Sequence, residues 1–294
     1  MFDKIIAFFM SIIAFFMNLF GLGGVTEQNY TEYKNLSYGN HERNVVDLYL
    51  PDEVSETGLI LYIHGGAWIG GDKSVYTSAA KDFCRSYSVA TATINYRYLS
   101  EDVTMADIID DIDKAVSMIK KTGLEKGIAI NKMILTGQSA GGHLSMLYAY
   151  SMAEKAEIKP AAVANYCGPT DLNDPNYFIN NDLGDDNVYM LLSFATGESI
   201  NKDTIDSHRD KIALISPITY VNENTVPTII NHGKADTTVP FTNAVALDAK
   251  MTEFGVTHIF NIYPNSGHGL DKDKDIDSIA TSNAIEYLNT YVLN

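Results

Sequence analysis

Short, nearly uninterrupted apolar runs recur along the chain, separated by longer stretches whose apolar positions fall every three or four residues. The runs predict strands at 45–50, 59–63, 89–95, 133–136, 161–166, 228–231 and 258–263. Strands that are apolar throughout belong in a parallel sheet covered on both faces. The stretches between them predict helices at 76–87, 105–121, 141–152, 243–254 and 277–292. The clearest is 105–121. Ile108, Ile109, Ile112, Val116 and Ile119 share one face, Asp107, Asp110, Asp111 and Asp113 crowd its first turns, and Lys120 and Lys121 close it. That charge distribution complements a helix dipole. Strands alternating with helices imply an α/β architecture, a mostly parallel sheet with helices on both faces. Residues 173–214 break the alternation. They are rich in Asn, Asp and Tyr at first and then partly helical around 188–195. A long insertion over the carboxyl edge of such a sheet reads as a small cap or lid and as the source of substrate selectivity.

The N-terminus differs in character. Residues 5–20 carry no charge and repeat Ile-Ile-Ala-Phe-Phe-Met, and the uncharged stretch runs through Gly21, Gly23 and Gly24 to Val25. A helix apolar on nearly every face wants lipid or complete burial, and this one is long enough for a hydrocarbon core of ~30 Å. Residues 1–25 are therefore expected to be a signal peptide or a membrane anchor, making the protein secreted or membrane-attached. The competing reading is a helix that covers the mouth of the active site. Residues 26–294 are expected to form one catalytic domain.

Composition narrows the partners. Hydrophobic residues make up 46% of the 294 and charged residues 20%, so a packed core is expected. The net charge of −16 opposes phosphate backbones and argues against nucleic acid. Two cysteines, Cys84 and Cys167, make neither a disulfide framework nor a zinc site and read as small buried hydrophobes. Asp271, Asp273, Asp275 and Asp277 alternate as in a calcium loop. Ile276 stands where the turn glycine belongs and Ser282 where the bidentate Glu belongs, so an acidic lead-in to the last helix is the better reading.

The chemistry is carried by Gly137-Gln138-Ser139-Ala140-Gly141, between an apolar strand and a helical run. A serine on a sharp strand-to-helix turn exposes its hydroxyl, and small neighbours let that turn close. Serine needs a base within hydrogen-bond reach, and the base needs an acid to orient it. Asp236 follows the strand at 228–231, where ligands bind in such sheets. Asp171 follows an earlier strand and is the competitor. Of seven histidines only His258 and His268 lie beyond Asp236. His268, in Asn265-Ser266-Gly267-His268-Gly269, falls in a loop after the last strand and is the candidate base. His143 and His232 read as packing or hydrogen-bonding residues. His64-Gly65-Gly66-Ala67-Trp68 directly follows the strand at 59–63. The backbone N–H groups of Gly66, Ala67 and Ala140 are the expected oxyanion donors, with His64 pinning the loop.

The order Ser139, Asp236, His268 is that of α/β-hydrolases. With Asn95-Tyr96-Arg97, Ser216-Pro217-Ile218-Thr219-Tyr220-Val221 and His232-Gly233-Lys234-Ala235-Asp236-Thr237-Thr238-Val239-Pro240, the chain from about residue 45 onward resembles the bacterial esterase/lipase branch of that superfamily. It is similar to the hormone-sensitive-lipase group and to acetyl and feruloyl esterases. Hormone-sensitive-lipase relatives usually carry glycine where Ala67 stands and aspartate where Gln138 stands. The resemblance implies the α/β-hydrolase fold and a serine carboxylesterase, free of metal and cofactor, acting on a short-chain, aryl or carbohydrate ester. An amidase, formamidase or peptidase on the same triad is the alternative. A hydrolase fold that only binds ligands is disfavoured because all three triad members are present.

Overall fold

In a computed structural model of the chain, residues 29–179 and 181–293 are described. Their strands are β1 (Tyr30–Ser37), β2 (Val45–Pro51), β3 (Glu56–Ile63), β4 (Ala90–Ile94), β5 (Ala129–Gln138), β6 (Lys159–Tyr166), β7 (Thr228–Gly233) and β8 (His258–Tyr263). They form a single sheet in the spatial order β1-β2-β4-β3-β5-β6-β7-β8. β2 is antiparallel to both β1 and β4, and every pair from β4 to β8 is parallel.

The seven strands expected from the apolar runs are β2 to β8. β1 was not expected. Its sequence, Tyr-Thr-Glu-Tyr-Lys-Asn-Leu-Ser, has no apolar run, and none of its residues is fully buried. It is an edge strand held by pairing to β2, and its register shifts between Tyr33 and Leu36. A bulge and exposed charges are the usual protection of such an edge.

The helices are α1 (Thr77–Tyr87), α2 (Met105–Glu125), α3 (Ala140–Ser151), α4 (Asp185–Thr196), α5 (Arg209–Leu214), α6 (Phe241–Glu253) and α7 (Lys274–Tyr287), the last continued by a π-helical turn, Leu288–Leu293. Period-2 alternation along β3 divides the core. Leu59, Leu61 and Ile63 face α2 and α3, meeting Ile108, Ile112, Ile119 and Leu144, whereas Ile60 and Tyr62 face Phe83 of α1 and Tyr287 of α7. Helices therefore cover both faces.

α2 shows how one segment serves both packing and the site. Asp107 accepts the Thr104 N–H at 2.9 Å, which caps the helix, and Ile108, Ile112, Val116 and Ile119 are wholly buried. Asp111 does not serve the helix dipole as the charge pattern suggested. It is buried and takes Nε and Nη2 of Arg97 at 2.9 Å each.

The expectation of a secreted or membrane-anchored protein is corrected. Among the described residues no helix is long and apolar enough to cross a membrane. The apolar segment that suggested it, residues 1–25, lies outside them.

Candidate active site

Ser139 links β5 to α3 with φ 56° and ψ −126°. A side chain rarely adopts that backbone, and such strain costs on the order of 1–3 kcal/mol. Hydrogen bonds hold it. The Ser139 N–H donates to Tyr166 O at 2.8 Å, and Ser139 O accepts the His143 N–H at 3.0 Å. Ser139 thus stands at the N-terminus of α3, a helix buried along nearly its whole length.

The loop after β3 carries positive φ at Gly66 (112°), Ala67 (51°) and Trp68 (60°) in succession. This turns the chain back against the serine. A Cβ on Gly65 would lie 2.7 Å from Gln138 O and 3.4 Å from Ser139 Cβ, so only glycine allows that approach. Ala67, Ser139 and Ala140 border the same cleft. The N–H groups expected as oxyanion donors therefore belong to residues at the cleft wall or next to it.

Three family-motif segments act as scaffold for this loop. His64 stacks on Tyr96 with ring centroids 4.3 Å apart, and the Tyr96 hydroxyl donates to His64 O at 3.0 Å. The Arg43 guanidinium donates to His64 Nε2 at 3.2 Å, which leaves Nδ1–H to bond Gly65 O at 2.8 Å. Burial brings the His64 imidazole down to about 4, so it is neutral at pH 7. At the other end, the Trp68 indole donates to His143 Nδ1 at 3.2 Å, and His143 Nε2–H donates to Ile215 O at 2.8 Å. Burial likewise brings His143 to about 4. Asn95 accepts the Lys73 N–H at 2.6 Å and donates to Asp72 at 2.8 Å.

The acid and the base meet. His268 Nδ1 lies 2.8 Å from Asp236 Oδ2, and both residues are buried. The other carboxylate oxygen, Oδ1, accepts the N–H of Thr238 at 2.9 Å and of Val239 at 2.8 Å. Burial alone would raise the Asp236 carboxyl. The His268 and His232 imidazoles outweigh it and hold the group well below the usual carboxylate range. The Gln138 amide donates to His268 O at 2.9 Å, which ties the base's loop to the residue before Ser139. Asp171, the competing acid, instead accepts the Asn173 N–H at 2.9 Å. His258 pairs with Asp248 at 3.1 Å.

Beside Ser139 lies an apolar cleft with about 540 Å³ of free space. Trp68 and Val239 line part of it, and Leu172, Leu183, Val188, Leu191, Leu192 and Ala195 line much of the remainder. Most of these come from the 173–214 segment, chiefly from α4. The segment is stapled to the acid's loop. The Thr237 hydroxyl donates to Asp182, and Asn181 Nδ2 donates to Thr238 O at 2.9 Å.

The alternating aspartates serve separate ends. Asp273 accepts Ser266 Oγ at 2.6 Å and Asn265 Nδ2 at 2.7 Å, bracing the loop of His268. Burial raises the Asp277 carboxyl to about 6. Among the described residues, the group whose metal-type donor atoms lie within 4.8 Å of one another is Cys167, His232 and Asp236. Burial pushes the Cys167 thiol well above its usual range, and Asp236 adds to the effect. A protonated thiol is a poor ligand, so these side chains read as support for the acid. Cys84 and Cys167 are both free and buried.

His232, expected as a packing or hydrogen-bonding residue, contacts Asp236 itself, a role the sequence reading did not assign it. Its Nε2 lies 3.3 Å from Asp236 Oδ2 and 3.0 Å from Val239 O. Its position four residues before the acid was the signal.

The sheet order, the strained serine between β5 and α3, and the buried carboxylate–imidazole pair define an α/β-hydrolase. The family model described as BD-FAE matches residues 46–251, and the chain belongs to that family, within the esterase/lipase group of α/β-hydrolases. Among curated proteins it is similar to "Esterase LipC" of Mycobacterium tuberculosis, at 22% identity over 261 residues, covering 85% of this chain and 62% of the relative. It is also similar to "Probable carboxylic ester hydrolase LipM" of the same organism, at 24% over 229 residues, covering 74% and 51%. The chain thus spans between half and two thirds of the length of these relatives. Among solved structures, esterase B from Lactobacillus rhamnosis superposes with a TM-score of 0.72 at 19% identity, covering 98% of this chain and 93% of that one. A truncated carbohydrate esterase from gut microbiota gives 0.69 at 23%, covering 89% and 99%. Likeness at that identity speaks for the fold.

Proposed function

We propose that the chain is a serine carboxylesterase. Ser139 attacks an ester carbonyl and His268 Nε2 takes its proton. The tetrahedral oxyanion forms against the N–H groups of Gly66, Ala67 and Ala140. His268 returns the proton to the leaving alcohol, and water then hydrolyses the acyl-enzyme by the same route. Asp236 holds the imidazole with its proton on Nδ1 and stabilises the imidazolium that forms. The observation that carries this reading is the buried 2.8 Å contact of His268 Nδ1 with Asp236, in a loop tethered to the residue before the strained Ser139. The printed names of the relatives support it.

The substrate is a small ester with an apolar acyl or aryl group that the cleft beside Ser139 receives, and residues 173–214 act as its cap. Amide hydrolysis on the same triad is the other outcome that a test must separate. Acetyl, butyryl and feruloyl esters are compared with matched anilides, and labelling by a fluorophosphonate is followed in parallel. The ester reading expects ester turnover to exceed anilide turnover. It also expects Ser139→Ala to lose on the order of 10⁶ in kcat, lose labelling and keep its fold. Ester turnover that survives in Ser139→Ala ends the assignment.

A further inference from the structure

We infer that His232 is the positioning residue of the acid, fixing the Asp236 carboxylate toward His268 by closing the loop that carries it. The inference rests on Asp236 being the orienting acid of the reaction proposed above. His232 is the penultimate residue of strand β7, just before the loop leaves the sheet. Its ring is wholly buried and set edge-on to Phe241, with centroids 6.0 Å apart and planes at 68°.

From there one ring nitrogen reaches two points of the loop. Nε2 is 3.0 Å from Val239 O, seven residues on, and 3.3 Å from Asp236 Oδ2. Val239 O can only accept, so Nε2 carries a proton. Among the described residues Nδ1 finds no hydrogen-bond partner. A residue that served packing alone would not need buried polar nitrogens, since an apolar side chain of this shape would fill the space without them. The ring is retained for what Nε2 does.

The contact has a second consequence. Oδ2 is the oxygen that faces His268 Nδ1 at 2.8 Å, while Oδ1 is fixed by two backbone N–H groups. Those two bonds hold one edge of the carboxylate but leave it free to rock about them. His232 supplies the third point, which sets the plane. Val239 borders the cleft as well, so the same tether fixes the cleft wall relative to the acid.

The inference is tested with His232→Leu and His232→Gln in the full chain. Glutamine reaches an N–H donor to the position of Nε2, and leucine has none. Three quantities are read: kcat on p-nitrophenyl butyrate, the low-field proton signal of the His268–Asp236 bond, and the thermal midpoint. A displacement of about 1 Å in a catalytic group costs on the order of 10²-fold, and that is the expected loss of kcat in the leucine variant. Its low-field signal moves or vanishes, and glutamine restores both. If leucine does not fold, His232→Asn takes its place, being polar but too short to reach, and it is expected to behave as leucine should. The inference is overturned if leucine keeps kcat and the signal. It is equally overturned if kcat falls with the thermal midpoint while the signal stays in place and glutamine rescues nothing. If the parent protein neither turns over esters nor takes up the fluorophosphonate, the ester reading fails, and the proton signal alone then decides the role of His232.

Discussion

Replacing Asp236 with asparagine is the sharpest probe of the proton-transfer line, because the structure dictates how the amide must sit. Asp236 faces four donors: the N–H groups of Thr238 and Val239 on Oδ1 at 2.9 and 2.8 Å, and His268 Nδ1 and His232 Nε2 on Oδ2 at 2.8 and 3.3 Å. Asparagine has one acceptor oxygen. The two backbone N–H groups are buried and among the described residues bond to no other acceptor, so they claim it. The amide NH₂ then points at His268. Nδ1 must accept rather than donate, and the ring proton moves to Nε2, the nitrogen that has to take the proton of Ser139. The shape of the site survives and the base is disabled. A wrong tautomer of this kind lowers kcat by ~10⁴, or about 5.5 kcal/mol of transition-state stabilisation. The assay is kcat on p-nitrophenyl butyrate at neutral pH, with circular dichroism to establish that the variant is folded. Asp171→Asn is the companion variant. Its carboxylate accepts the Asn173 N–H at 2.9 Å, so its kcat is expected to stay near the parent value. A folded Asp236→Asn protein within about tenfold of the parent, or a larger loss in Asp171→Asn, would refute the reasoning.

Two further outcomes concern stability. Burial brings His64 and His143 down to about 4 in the folded protein by disfavouring their charged forms, whereas in the unfolded chain they titrate near the ordinary 6.5. Between those values the unfolded state binds more protons than the folded one, so stability falls as pH drops from about 6.5 to about 4. Thermal midpoints measured across that range should decline steadily, and a flat profile would show that the rings are not held neutral. The second concerns the pair of Lys73 Nζ and Asp47 Oδ2, 2.7 Å apart with side chains only 9% and 6% exposed. Lys73→Met leaves a buried carboxylate without its cation and should cost about 3–5 kcal/mol in urea unfolding. A loss below about 1 kcal/mol would mean that water reaches Asp47 more readily than the packing implies.

How far the fold could be read in advance followed from where each strand lies. β2 to β7 are largely buried on both faces, and burial forces the continuous apolar runs that announced them. β8 is an edge strand and partly exposed, yet Ile259, Phe260 and Tyr263 pack on the core and mark it. β1, at the opposite edge, has no fully buried residue, so no apolar pattern marked it. α2 ran four residues beyond its expected end, to Glu125. Lys120 and Lys121 suit a last turn electrostatically, yet the next two residues, Thr122 and Gly123, are buried and packing carries the helix onward. The role of Asp111 escaped for a similar reason. Its partner Arg97 lies in another loop, and no spacing within a helix reports a contact of that kind.

The site divides along the same line, between chemistry that must be local and support that need not be. A nucleophile on a strained turn needs small residues beside it in sequence, and an oxyanion loop needs consecutive residues of unusual φ, so both leave contiguous motifs. The proposed acid and base leave only an order along the chain, and the 2.8 Å contact between Asp236 and His268 favours Asp236 over Asp171. The cleft leaves least of all. Val188, Leu191 and Leu192 would be apolar in any packed helix, and the staples from Asp182 and Asn181 tie the chain just before α4 to the loop of Asp236. Those staples are made by asparagine and aspartate, the residues that set the segment apart from the strand–helix alternation. On the proposed ester reading, substrate choice depends on these polar contacts between loops, and a change of ester preference is expected from substitutions at residues 181 and 182 without any change in the cleft's own side chains.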